Sequence, residues 1–254
     1  MFEDHYGDVL AKARFGLRLT SSAAARRAGL TAGDVEFLER GATFPKEAKV
    51  RALAAALGLS PAQLAAFALR PAPPRELAPR IPLVRVPIMT DVTMNAYVFS
   101  AARRGPAGVV DPGADLPALA RALDRLDSRA DAILLTHAHA DHTGALSPGT
   151  KLWHVRGHAL IEERTRLGHL AEYVTFVKPG VVFTAGGTRV KVLHVPGHTA
   201  GMAAYLLPDA AVAFTGDALF ARSLGRAESP GAAYAALLAG VRAELLSLPP
   251  DTVL

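Results

Sequence analysis

Residues 133–146 read ILLTHAHADHTGAL. The apolar run 133–135 passes through Thr136 into six residues, 137–142, that hold three histidines and an aspartate. The whole chain has nine histidines, so a third of them fall here. A short apolar run bounded by polar and turn-forming residues reads as a buried strand. The side chains that follow it leave regular structure, so several can be aimed into one pocket at the strand's carboxyl end. Imidazole and carboxylate are ligands for zinc, manganese and iron. A lone His-x-His carries little weight. His137, His139, Asp141 and His142 at this spacing, followed by Thr-Gly, point to a metal site.

Two later stretches repeat the arrangement. VKVLHVPGHTAG (190–201) gives a strand, a Pro-Gly turn and His198. AVAFTGDALF (211–220) gives a strand, then Gly216 and Asp217. Together with MNAYVF (94–99), VVDPGAD (109–115) and SLGRAESPG (223–231), this order resembles the metallo-β-lactamase fold superfamily from about residue 81 onward. The glyoxalase II-like branch is the nearest in pattern.

The resemblance implies an α+β fold: a four-layer αββα sandwich with its site at one edge. It implies that His137, His139 and His198 hold one metal, that Asp141 and His142 hold a second, and that Asp217 bridges them. Zinc is the expected metal at both positions, with iron or manganese as alternatives. A metal pair lowers the pKa of a shared water toward neutrality. The implied reaction is attack of that metal-bound hydroxide on a thioester or ester, with Asp141 and Asp217 as the catalytic carboxylates. Asp111 is not a ligand in the family and is expected to orient the ligand loop. The family carries one more histidine, in a stretch like T-x-L-x-P-G-H-G, where this chain reads LPPDTVL. The second metal position is therefore expected to be impaired, and the sequence to be truncated relative to the family.

The remaining polar groups carry plainer expectations. His154, His158 and His169 read as surface or local hydrogen-bonding groups. His194 reads as a packed strand residue and Trp153 as core. Ser223 and Arg226 follow the bridging aspartate, and a substrate role and a loop-holding role stand open for both. His5 has no partner in the sequence.

Outward from these motifs, PAPPRELAPR (71–80) contains four prolines and reads as a stiff connector. After it come short β-branched runs interleaved with helical stretches, such as DLPALARALDRL (115–126) and AAYAALLAGVRAELLSL (232–248). Before it, apolar residues recur at helical spacing. The expected organisation is a helical domain over 1–70, a linker over 71–80 and the metal domain over 81–254. All proposed ligands follow the connector, so the chemistry is expected to survive removal of residues 1–70.

The first domain resembles the Cro/C1-type (Xre) helix-turn-helix family over residues 8–69, through SSAAARRAGLTAGDVEFLERG (21–41) and LAAALGLSPAQL (53–64). Ala25 and Gly29 read as small residues at a helix crossing. Thr31 reads as a helix cap, and Val35 and Leu38 as inward-facing. The family's second helix reads DNA bases in the major groove. Here its outward positions are Ala32, Gly33, Asp34, Glu36 and Phe37, and carboxylates face phosphate unfavourably. An interaction or dimerisation module, with a homodimer as one form, is therefore the expected role. Arg14, Arg18, Arg26 and Arg27 leave nucleic-acid binding as the alternative.

Composition narrows the classes further. There is no cysteine among the 254 residues, which excludes disulfides, thiolate metal ligands and thiol catalysis. The start, MFEDHYGD, lacks the pattern of a signal peptide, and the apolar stretch 54–69 is interrupted by Ser60, Pro61 and Gln63. A cytoplasmic protein with no membrane partner is expected, acting on a small-molecule thioester or ester. Two other readings stand beside it. One is a persulfide dioxygenase with a single iron on His137, His198 and Asp217. The other is a DNA-binding regulator whose metal domain is a sensor.

Overall fold

The computed structural model describes residues 4–70, 78–89 and 93–254. Of the proline-rich connector expected at 71–80, residues 71–77 lie outside the described residues.

Five helices come first: α1 (Tyr6–Gly16), α2 (Ser21–Ala28), α3 (Ala32–Glu39), α4 (Glu47–Ala56) and α5 (Pro61–Leu69). Their starts are written in the capping residues. Thr20 and Ser60 accept from the backbone of Ala23 and Gln63, and Pro61 takes the first position of α5, where no N–H is needed. Thr31 and Asp34 close a reciprocal capping box on α3. His5, without an evident partner in the sequence, does the same with Asp8 on α1. The enclosed core includes Leu10, Ala25, Val35, Leu38, Val50, Leu53 and Leu64, so Val35 and Leu38 face inward as expected.

Gly29 is a correction. A methyl group there would meet nothing within 4 Å, so no helix crosses it; its φ of +65° makes it the left-handed cap that ends α2. The left-handed conformation costs an L-residue about 1–2 kcal/mol. Gly29→Ala is therefore expected to lower stability by about 1 kcal/mol. Gly33→Ala, in the exposed first turn of α3, is expected to raise it by up to about 1 kcal/mol. Denaturant unfolding of the two variants reads the opposite signs.

The rest of the chain builds two sheets. In chain order the elements are β1 (Leu83–Met89), β2 (Thr93–Phe99), β3 (Pro106–Val110), α6 (Leu116–Leu126), β4 (Arg129–Leu134), α7 (Ala140–Thr143), α8 (Leu146–Trp153), β5 (Gly157–Leu160), α9 (Arg164–Leu167) and β6 (Val174–Val177). There follow β7 (Val182–Ala185), β8 (Thr188–His194), β9 (Ala203–Leu207), β10 (Val212–Phe214), β11 (Leu219–Phe220), β12 (Ser223–Leu224) and α10 (Ala232–Gly240). Strands β1 to β6 form one sheet in sequence order, antiparallel through β3 and parallel from β3 to β6. Strands β10, β9, β8 and β7 form a second, antiparallel sheet. Val253 pairs in parallel with Val212, at the free edge of β10.

Burial follows the two-residue period of a strand. From β4 and the residue after it, Ile133 and Leu135 enter one core with Leu119, Leu123 and Leu126 of α6 and Leu146 of α8, while Leu134 enters a second core between the sheets. That second core is completed by Phe99, Val110, Val192, Tyr205 and Phe214. A third core joins Leu193, Val195 and Ala204 to Leu237 of α10 and to Val241 and Leu245 beyond it. The layers are helix, sheet, sheet, helix, and the fold is α+β as expected. A strand buried on both faces must be apolar throughout, which is why ILL could be read so directly. Trp153 packs against the first core.

Candidate metal centre

Three loops meet at one edge of the sandwich: the one after β4, the one after β8 and the turn after β10. They bring together all six residues expected from the sequence. Nε2 of His137, Nδ1 of His139 and Nε2 of His198 form a triangle with sides of 3.0, 3.0 and 3.3 Å. His142 and Asp217 join His137 in a second potential ligand group. Asp217 spans both, with one carboxylate oxygen 3.4 Å from His142 Nε2 and the other 3.5 Å from His198 Nε2. Asp141 stands beside the second group, 3.6 Å from His142 Nε2, and is partly open to solvent.

The hydrogen bonds behind the triangle fix the tautomers of His137 and His198. Asp111 follows β3, whose pairing with β4 sets Val110 beside Leu134. Its carboxylate accepts from Thr136 N and from the Thr136 hydroxyl, each at 2.7 Å. A carboxylate only accepts, and a hydroxyl has one proton to give. The Thr136 oxygen, 3.0 Å from His137 Nδ1, therefore accepts from that nitrogen, leaving His137 Nε2 bare. In the same way His198 Nδ1 donates to the carbonyl of Arg226 at 2.7 Å, and His198 Nε2 is bare. Two lone pairs then face each other at 3.3 Å, an arrangement that a cation between them relieves. Tetrahedral coordination at 2.0–2.1 Å would set ligand nitrogens about 3.3 Å apart, so the residues fit a metal. Asp111 thus orients the loop, as the family pattern implied.

The charge balance agrees. Burial, then the neighbouring imidazoles, hold His137 well below the ordinary imidazole range. Burial followed by His198 and Arg166 lowers His139. Both therefore present lone pairs at neutral pH. Burial also opposes charge on His142, but Asp111 and Asp217 outweigh it and lift this residue to about 10. Asp217 is lowered: burial pushes it up, and His142 together with the other imidazoles pulls it down further. His142 Nδ1 lies 3.0 Å from Asp111, yet neither ring nitrogen has an aligned hydrogen-bond partner. This part of the pocket calls for positive charge, which a divalent cation supplies.

Two supports have roles that the sequence does not announce. Glu163, fully buried after β5, accepts from Ala138 N and from Gly201 N, both at 2.9 Å. One carboxylate thereby ties the loop of His137 and His139 to the loop of His198. Nothing in LIEERTR distinguishes Glu163 from its exposed neighbour Glu162. The second is Gly216, whose φ is +47° and whose missing Cβ leaves room for the Thr136 side chain. It lets the Asp217 turn close against the Asp111–Thr136 pair. The other histidines stay apart from the cluster. His154 caps α8, His158 stacks on Phe183 at 4.7 Å, His169 lies in a 3-10 turn, and His194 Nε2 reaches Ala200 O at 2.9 Å.

The Metallo-beta-lactamase superfamily profile matches residues 89–254. The chain is a member of the metallo-β-lactamase superfamily. A Helix-turn-helix domain profile matches residues 5–67, ahead of the metallo-β-lactamase domain. The chain is 30% identical over 164 residues to hydroxyacylglutathione hydrolase GloC of Haemophilus influenzae, covering 58% of this chain and 77% of that protein. It is 38% identical over 142 residues to a hydroxyacylglutathione hydrolase of Brucella ovis, covering 55% of this chain and 52% of that one, so it spans about half the Brucella enzyme. Among solved structures it resembles the BLEG-1 B3 metallo-beta-lactamase, with TM-score 0.59 and 31% identity over 67% of this chain and 88% of that chain. It also resembles TTHA1623 in a di-iron-bound form, with TM-score 0.55 and 31% identity over 65% of this chain and 87% of that one. ETHE1 from Myxococcus xanthus, at TM-score 0.56 and 25% identity over 66% of this chain and 72% of that chain, shares the fold as well. Superfamily membership implies a divalent metal, and the histidine cluster is where it fits. Among the described residues, no helix is long and apolar enough to cross a membrane.

Proposed function

We propose that this protein is a dinuclear metallohydrolase acting on a small-molecule thioester or ester, of the hydroxyacylglutathione hydrolase type. The observation that carries this reading is Asp217, which turns one oxygen toward each ligand group. His137, His139 and His198 would hold one metal; Asp141 and His142 would hold the other, with Asp217 shared. Zinc is the proposed metal, and iron or manganese would suit the same donors. When bound, such a pair lowers the pKa of a shared water toward neutrality and draws charge from a carbonyl oxygen. Asp141, partly open to solvent, is placed to accept a proton from a water in the cleft and to orient it. Asp111 and Thr136 hold the His137 tautomer through the cycle. Arg166, ion-paired with Glu228, lines a cavity of about 260 Å³ with Glu162, Glu163, Thr165 and Ala200.

The two named relatives support the thioester class. Nucleic acid is not the proposed ligand of the helical domain: α3 carries Asp34, held down to about 2 chiefly by its hydrogen bond to Lys49, and leaves Glu36 and Phe37 exposed. The test is metal content after equal exposure to zinc, manganese and iron, followed by a panel of thioesters, lactones and a persulfide. One zinc or manganese held tightly and a second held weakly, at the position short of a histidine ligand, are expected together with thioester turnover. One iron per chain, with oxygen uptake on the persulfide, would replace this reading by the dioxygenase.

A further inference from the structure

The helical domain rests on the segment that shapes the metal centre. Strands β11 and β12 form a hairpin directly after Asp217, and Arg226, whose carbonyl fixes His198, follows it. One face of α1, with Lys12, Phe15 and Gly16 at i, i+3 and i+4, covers this hairpin and the residues after it. Lys12 Nζ donates to Leu224 O at 2.8 Å and lies 4.8 Å from the Phe220 ring centre. Its charge is matched by Asp4, and about four-fifths of its side chain is covered. Phe15 lies under the Arg226 guanidinium at 5.0 Å, and Phe67 of α5 under that of Arg222 at 5.4 Å. At the end of α1, Gly16 O accepts from Gly231 N at 2.8 Å, giving a helix-terminal carbonyl a partner in the other domain. The Tyr234 ring fills the space where a Gly16 side chain would stand.

We propose that α1 is a positioning element of the metal centre, holding residues 219–231 so that Asp217 and the Arg226 carbonyl stay in register with His198. This rests on the hydrolase reading above. It differs from the expectation that residues 1–70 are dispensable, which considered only where the ligands lie. The ligands' neighbours make the contact. A helix-turn-helix domain whose α3 is acidic thus acquires a role that needs no nucleic acid. Groups that touch a metal's ligands are commonly worth ten- to a hundredfold in affinity or activity, and α1, one contact further out, is expected at the low end of that range.

The test uses the full chain with Gly16→Leu, Lys12→Met and Lys12→Arg. Gly16 has helical φ, so leucine favours α1 itself while displacing Tyr234. Zinc affinity is read by competition with a chromophoric chelator, and kcat and KM are read separately on the thioester. Gly16→Leu and Lys12→Met are each expected to weaken zinc about tenfold and to lower kcat more than they raise KM, with Lys12→Arg restoring most of both. Unfolding should divide into two transitions in Gly16→Leu. If the transitions divide while zinc affinity and kcat stay at the wild-type values, the helical domain is only a tethered neighbour and the proposal fails. Wild-type protein that binds no metal would overturn the hydrolase reading itself, a result that the comparison of variants cannot produce.

Discussion

Asp217→Ala is expected to abolish hydrolysis and to release metal from both positions, while the apo-protein keeps its fold. The residue sits on a 3-10 turn after β10 with a quarter of its side chain exposed, and its near neighbours are His142 and His198. Removing it takes away no core contact. A bound metal contributes several kcal/mol to stabilising charge in the transition state. At about 1.4 kcal/mol per factor of ten, the loss in kcat/KM is at least about a thousandfold. His137→Ala should also be inactive, but for a mixed reason. That ring is fully buried, so its removal opens a cavity as well as deleting a ligand, and the variant should melt earlier. The bridging carboxylate should cost more metal than the single imidazole. Elemental analysis with calorimetry of both apo-variants separates the two effects. An Asp217→Ala protein that keeps two metals and an undiminished rate would refute the ligand assignment.

The ligand set could be read from the sequence because each ligand stands where an apolar strand breaks into a polar turn. Such breaks leave a local signature: ILL before His137, VKVLHV before His198, AVAF before Asp217. Parts that depend on contacts across the fold were not legible. Strand β9 reads AAYLL, residues that favour helix in isolation; burial of both faces, one in the inter-sheet core and one against α10, decides for strand. Strands β5 and β6 have four residues each, too few for a period to show. Gly29 is needed for its dihedral angle and not for its size, a distinction the sequence alone does not carry. Arg226 acts through its backbone carbonyl, which no side-chain pattern announces, and its guanidinium serves the domain contact instead. The fit of Gly16 to Tyr234 joins residues far apart in sequence, neither of them distinctive alone.

Glu163→Gln is expected to loosen the metal centre although residue 163 touches no metal ligand side chain. Both carboxylate oxygens of Glu163 accept backbone N–H bonds, from Ala138 beside His137 and from Gly201 beyond His198. An amide of the same shape has one oxygen to accept and one NH2 group that donates. Whichever way it turns, one buried N–H meets another donor. A buried polar group left unsatisfied costs about 1–3 kcal/mol, enough to lower the unfolding temperature by several degrees. Freeing one loop from the other should also weaken metal binding about ten- to a hundredfold, as for other partners that orient ligands. Glu163→Asp keeps the charge but shortens the reach, so it separates charge from geometry: if geometry governs, it should resemble Glu163→Gln. Chelator competition and calorimetry on both variants read the result. Zinc affinity unchanged in Glu163→Gln would mean that the two loops hold their places without this carboxylate.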